Sequence, residues 1–139
     1  MTRRQSLFLT VNVLGGMAVL GSYAWGIGTH SGNAQALWGG IEGRMRIVYT
    51  ANMLPATLGY LFMFAFALKH LNAARHWRSL IAWNAAFLAA SSLWMPLTFA
   101  AIDGANPDLL GWIQGVLAVA GVGSIAMWVQ VARIAPETP

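Results

Sequence analysis

Apolar residues run almost unbroken through four stretches of this chain, Ser6–Gly28, Ile47–Leu68, Ser79–Ile102 and Leu109–Ala132, and every charged residue lies outside them. A bilayer hydrocarbon core about 30 Å thick takes roughly 20 residues of helix to cross, so each stretch is long enough to span once. None shows the two-residue alternation of a barrel strand. The pattern predicts an all-α, integral membrane, four-helix transmembrane bundle forming one domain over residues 1–139, with no segment left for a water-soluble domain.

The basic residues orient such a bundle. Arg3, Arg4, Lys69, Arg75, Arg78 and Arg133 fall at one end of the expected helices, and only Arg44 and Arg46 at the other. The positive-inside tendency then places both termini and the second connection in the cytoplasm, N-in and C-in, as a multi-pass protein of a cell inner membrane. Arg3-Arg4 before an apolar run, with Ser22-Tyr23-Ala24 beyond it, also has the outline of a secretory or twin-arginine signal. Ser6–Gly28 is longer than the roughly 7–15 residues of a usual signal core, and a retained first helix is the expectation.

The connections differ in kind. His30-Ser31-Gly32-Asn33 reads as a turn, and Trp38, Ile41 and Met45 follow at helical spacing with Glu42 and Arg46 four apart. A short interfacial helix over Ala34–Arg46, with Trp38 at headgroup depth, is expected there. Asp103-Gly104-Ala105-Asn106-Pro107-Asp108 is a run of breaker residues and predicts a tight turn.

Within the spans the polar groups are amides and hydroxyls. Asn12, Asn52, Asn84 and Gln114 each lie five to seven residues into a run, so antiparallel packing predicts two levels of interhelical contact: Asn12 with Asn84, and Asn52 with Gln114. Ala18, Ser22 and Gly26 on the first span, and Gly111, Gly115 and Gly123 on the fourth, are small-residue stripes that let helices approach closely. Pro96 removes the hydrogen bond to Ser92 and predicts a kinked third helix, with Ser91 and Ser92 at hand for the freed carbonyl. Pro55 either sits in the first turn of a helix capped by Asn52 or bends a longer second span.

Composition sharpens this in two ways. The chain is 58% hydrophobic and 9% charged, and contains seven Trp, six Phe and three Tyr. Trp25, Trp38 and Trp112 are expected at one interface, and Trp77, Trp83 and Trp128 at the other, which leaves Trp94 as the interior candidate. Its pI near 10.4 does not imply nucleic acid, because the basic groups sit in short breaks between apolar runs instead of one stripe.

Much chemistry is excluded. With no cysteine there is no disulfide, thiolate catalysis or Cys-ligated metal. With no Asp, Glu, Lys, Arg or His inside a span, membrane-embedded proton relays and voltage sensing have no carrier. His30, Glu42, Asp103 and Asp108 share one end but lack a paired-ligand spacing, and Met45, Met53 and Met95 are more simply core methionines than a copper site. No catalytic motif is present, so no metal or catalytic residue is assigned and the cofactor is left open.

Leu93-Trp94-Met95-Pro96-Leu97-Thr98-Phe99 resembles the Trp-x-Pro segment of the translocator protein (tryptophan-rich sensory protein) family, five-helix membrane proteins that bind tetrapyrroles and other flat apolar ligands. The likeness covers about seven residues. The chain lacks that family's fifth span and its proline- and tryptophan-rich entry to the second.

Both prolines, with Tyr49, Asn52, Trp94 and Met95, are expected at one depth. The leading expectation is a non-enzymatic protein that binds or passes a small apolar or amphipathic ligand between the second and third helices, at Tyr49, Asn52, Trp94, Met95 and Pro96. The other is an accessory or assembly subunit, whose exposed helix faces dock on a larger membrane complex. Expected partners are the lipid bilayer, a hydrophobic small molecule, and a second copy or a larger complex; nucleic acid is not among them.

Overall fold

A computed structural model describes residues 1–32, 37, 41–104, 106 and 108–134. It contains four helices, α1 (Arg3–Thr29), α2 (Gly43–His70), α3 (Trp77–Asp103) and α4 (Leu109–Ala132), and no strand among the described residues. All four are long and apolar enough to cross a membrane. Trp38 and residues 34–36, 39 and 40 of the expected interfacial helix lie outside the described residues, as do Pro107 and Glu137, and the last four residues of that expected helix, Gly43–Arg46, belong to α2.

The helices begin and end where local chemistry allows. α1 starts three residues before its apolar run because Thr2 and Gln5 form a capping box: the Thr2 hydroxyl accepts from the Gln5 amide, and the Gln5 side chain accepts from the Thr2 amide at 2.8 Å. α2 starts at Gly43, whose φ of +56° suits a residue without Cβ. Asn52 is therefore inside α2 and does not cap it, and Pro55 sits within a continuous 28-residue helix. α3 also runs through its proline, Pro96. Ser92 donates to the Ala89 carbonyl, so its hydroxyl is spent one turn away from the group that Pro96 frees. At the third connection, Asn106 Oδ1 accepts from the Asp108 amide at 3.0 Å, a local turn bond that starts α4.

Four antiparallel helices have two ends. The basic end holds the start of α1, the α2–α3 connection and the end of α4; the acidic end holds Glu42, Asp103 and Asp108 with Arg44 and Arg46. α3 is the central helix, packing along its length on α1 and α4, and it carries the largest buried set: Leu80, Ile81, Asn84, Leu88, Ala90, Met95 and Phe99. Leu80, Asn84 and Leu88 recur every four residues, as do Met95 and Phe99 one heptad on, which is the stripe a helix must present to its neighbours.

Close approach depends on glycine at two seams. A Cβ at Gly26 of α1 would lie 2.6 Å from Met95 Cγ of α3, and one at Gly123 of α4 would lie 3.3 Å from Phe87 Cβ. Gly111 and Gly115 face open space, and Ala18 is exposed, so these small residues make no seam inside the bundle. Lipid supplies no hydrophobic force between helices, and such contacts hold them together by dispersion.

Among the described residues, α2 packs on the other helices mainly at its basic end. Phe64 stacks on Phe8 at 5.6 Å, and Ala67 and Leu71 are buried with Leu80, Ile81, Met127 and Ile134 in a core at the basic end. Gln5 Nε2 donates to the Leu68 carbonyl, and Thr2 to Asn72, fastening the same end. From Gly43 to Gly59 every residue except Arg46 is exposed. That half has few packing partners, a state costly in water and cheap in hydrocarbon.

Candidate functional site

Three features at different depths are candidates, and the first joins all four helices. Asn12 of α1 donates to its own Phe8 carbonyl and accepts from the Tyr60 hydroxyl of α2 at 2.6 Å. Asn84 of α3 in turn donates to the Tyr60 oxygen at 3.2 Å and to Met127 Sδ of α4 at 3.3 Å. Asn84 is 0% exposed, and its Oδ1 has no partner among the described residues. Phe87 stacks on Tyr60 at 5.7 Å and walls the network from the side.

Only one of the two expected amide levels enters the bundle. Asn52 is exposed and donates to the Val48 carbonyl of its own helix, and Gln114 is exposed on α4. The physical reason is the splay of α2: beyond Tyr60 it is too far from the bundle for a short amide to reach across. Tyr60 was legible as an aromatic and not as the bridge, because periodicity does not reveal that a phenol spans the gap between two asparagines.

The second feature is the α1–α3 seam towards the acidic end. Met95 is 4% exposed and packs against Gly26, while Trp94 meets the Tyr23 ring edge-on at 6.1 Å. Pro96 follows, half-buried. The three α3 residues expected at a ligand site thus lie together, with Met95 and Trp94 against α1. Tyr49 and Asn52 stand apart from them on the exposed half of α2. Along that half runs a groove of ≈ 610 Å³, lined among the described residues by Gly43, Arg46, Ile47, Thr50, Ala51 and Leu54.

The third feature closes the acidic end. His30 Nε2 lies 2.8 Å from Asp103 Oδ2, joining the ends of α1 and α3, and the imidazole stacks on Phe99 at 4.1 Å with Trp25 edge-on. His30 Nδ1 faces the Thr29 hydroxyl and the Gly26 carbonyl. Thr29 gives its own hydrogen to the Trp25 carbonyl, so Nδ1 meets acceptors only, and Nε2 meets a carboxylate. The sequence places His30 and Asp103 at one end without pairing them.

No group of three or more metal-ligating side chains occurs among the described residues. Met45 and Met53 are exposed on α2, away from buried Met95. No protein-family model, curated protein or solved structure matches the chain.

Proposed function

We propose that the protein is a non-enzymatic inner-membrane protein, N-in and C-in, that binds or eases the movement of a small apolar or amphipathic molecule between α2 and α3. The half of α2 that leaves the bundle carries this reading: it borders a groove of ≈ 610 Å³, within the roughly 300–1,000 Å³ of small-molecule sites. Ile47, Ala51 and Leu54 give that groove an apolar wall, and Thr50 a hydroxyl. Trp94 and Pro96, both half-buried, are the proposed contributors from α3, with Met95 behind them against Gly26 of α1. Tyr49 and Asn52 are the polar groups that a ligand drawing α2 inward would meet.

The test is ligand recovery. Protein purified in a mild detergent is expected to carry a co-purifying molecule, or to change its tryptophan fluorescence with one member of a panel of porphyrins, sterols and quinones; Trp94→Phe should remove that change. An empty protein with unmoved fluorescence across the panel overturns the proposal.

A second reading, an accessory subunit of a larger complex, draws on the outward stripe of Gly111 and Gly115, where an added Cβ would meet nothing within 4 Å. Such a stripe suits close docking of a foreign helix. Native mass spectrometry of gently solubilised membranes separates the two: a lone monomer or homodimer speaks against the subunit.

A further inference from the structure

We infer that the basic end of the bundle holds a binding pocket for an anionic phosphate group, either a lipid headgroup or a free phosphate. A cavity of ≈ 230 Å³ opens where the α2–α3 connection meets the end of α4, lined by Arg75, His76, Ser79, Gln130 and Arg133 over an apolar floor that includes Leu80. The floor is built, since Leu80, Ala74 and Ile134 are all buried in the core at that end.

Charge selects the ligand. Arg75 and Arg133 come from separate elements, and neither has a carboxylate partner among the described residues. The described acidic residues, Glu42, Asp103 and Asp108, are all at the opposite end. Two guanidiniums converging on one cavity favour a phosphate, which they hold with paired hydrogen bonds. The start of α3 adds to this field: its N-cap, His76, makes no side-chain cap. The first helical bond there is from the Leu80 amide to the His76 carbonyl, which leaves the three preceding amides without a helical acceptor.

One more atom narrows the chemistry. Gln130 Nε2 donates to the Ser79 hydroxyl at 3.2 Å, and Gln130 Oε1 is buried with no partner among the described residues. Gln130 and Ser79 thus give the cavity a polar, uncharged edge beside the two arginines, which suits a headgroup carrying hydroxyls as well as a phosphate. Nearby Trp77 already has Arg4 and Arg78 over its ring, at 5.0 and 5.4 Å, so those two cations are engaged outside the cavity.

The experiment uses the full chain in neutral detergent micelles, titrated with dioleoylphosphatidylglycerol, dioleoylphosphatidylcholine or inorganic phosphate and read by native mass spectrometry. Phosphatidylglycerol is expected to bind in preference to phosphatidylcholine. Competition by inorganic phosphate alone identifies the free anion as sufficient; its failure to compete identifies the lipid. Arg75→Gln with Arg133→Gln should weaken phosphatidylglycerol binding roughly 30-fold, at about fivefold per arginine. Arg3→Gln with Arg4→Gln removes the same charge from the same end without touching the cavity, and should change it less than about threefold. Equal losses in both double variants, or no preference between the two lipids, overturn the proposal. A helical circular dichroism spectrum unchanged from the parent protein confirms that each variant is folded.

Discussion

Tyr60 on α2 gives its hydroxyl hydrogen to Asn12 on α1 across 2.6 Å, and the same oxygen accepts from Asn84 on α3. This phenol ties α2 at once to α1 and, through Asn84, to α3. Tyr60→Phe leaves Asn12 Oδ1 without a donor and Asn84 Nδ2 with only the Met127 sulfur. The expected cost is about 0.6–2 kcal/mol, measured by detergent-induced unfolding in mixed micelles. Asn12→Ala combined with Tyr60→Phe should cost less than the sum of the two, because both remove one bond.

Asn84 sits at the centre of that network with one oxygen unpartnered. Asn84→Leu gives up two donated bonds and also removes a buried acceptor that nothing satisfies, so it should destabilise less than Tyr60→Phe. Asn84→Asp should be worse than either by about 2 kcal/mol or more, since it brings an ionisable carboxyl to a buried depth. The ranking of the three unfolding midpoints is the check.

Gly26 and Gly28 make a matched pair two residues apart. A Cβ at Gly26 would meet both Met95 and Phe99 closer than 3.0 Å, whereas Gly28 has open space. Gly26→Ala should cost roughly 1–3 kcal/mol by forcing α1 from α3. Gly28→Ala should be neutral, or should gain up to about 1 kcal/mol from helix propensity. Thermal unfolding of the two variants in one detergent decides it.

His30 and Asp103 bridge α1 and α3, with side chains 17% and 47% exposed. Water and salt screen a pair as open as this, and its coupling in a His30→Gln, Asp103→Asn double-mutant cycle should be only about 0.2–1 kcal/mol. Raising the salt concentration should shrink it further. The stacking of His30 on Phe99 should survive in Asp103→Asn, leaving part of the effect of His30→Gln intact.

The unpacked half of α2 should move. Spin labels at Leu54 and Leu110 are expected to give a broader distance distribution than labels at Phe66 and Trp128, which flank the packed core. Equal widths would mean that the exposed half of α2 is held as firmly as the packed half.

The four spans were legible in the sequence because each apolar run is uninterrupted by charge, and hydrocarbon admits no other backbone of that length than a helix. The predicted limits of α4 agree with the structure, and those of α1, α2 and α3 differ by a few residues, where Thr2-Gln5 capping and an early start at Gly43 extend them. The depth of Asn12 and Asn84 was readable for the same reason, as helix rise is constant. Which small residues would form seams was not: Gly26 and Gly111 look alike in a stripe, and only the neighbour across the gap separates them.

The sequence by itself determined that the chain is cysteine-free and forms helices that are uncharged along their apolar runs and long enough to cross a membrane, because those follow from residue type and run length alone. Tertiary structure decided that α3 is central, that α2 packs mainly at its basic end, that a tyrosine links two asparagines, and that Arg75 and Arg133 share a cavity with Gln130. These are relations between residues far apart in the chain. In a bilayer nearly every helix face is apolar, so the hydrophobic pattern that orients helices in water says little here about which face meets which.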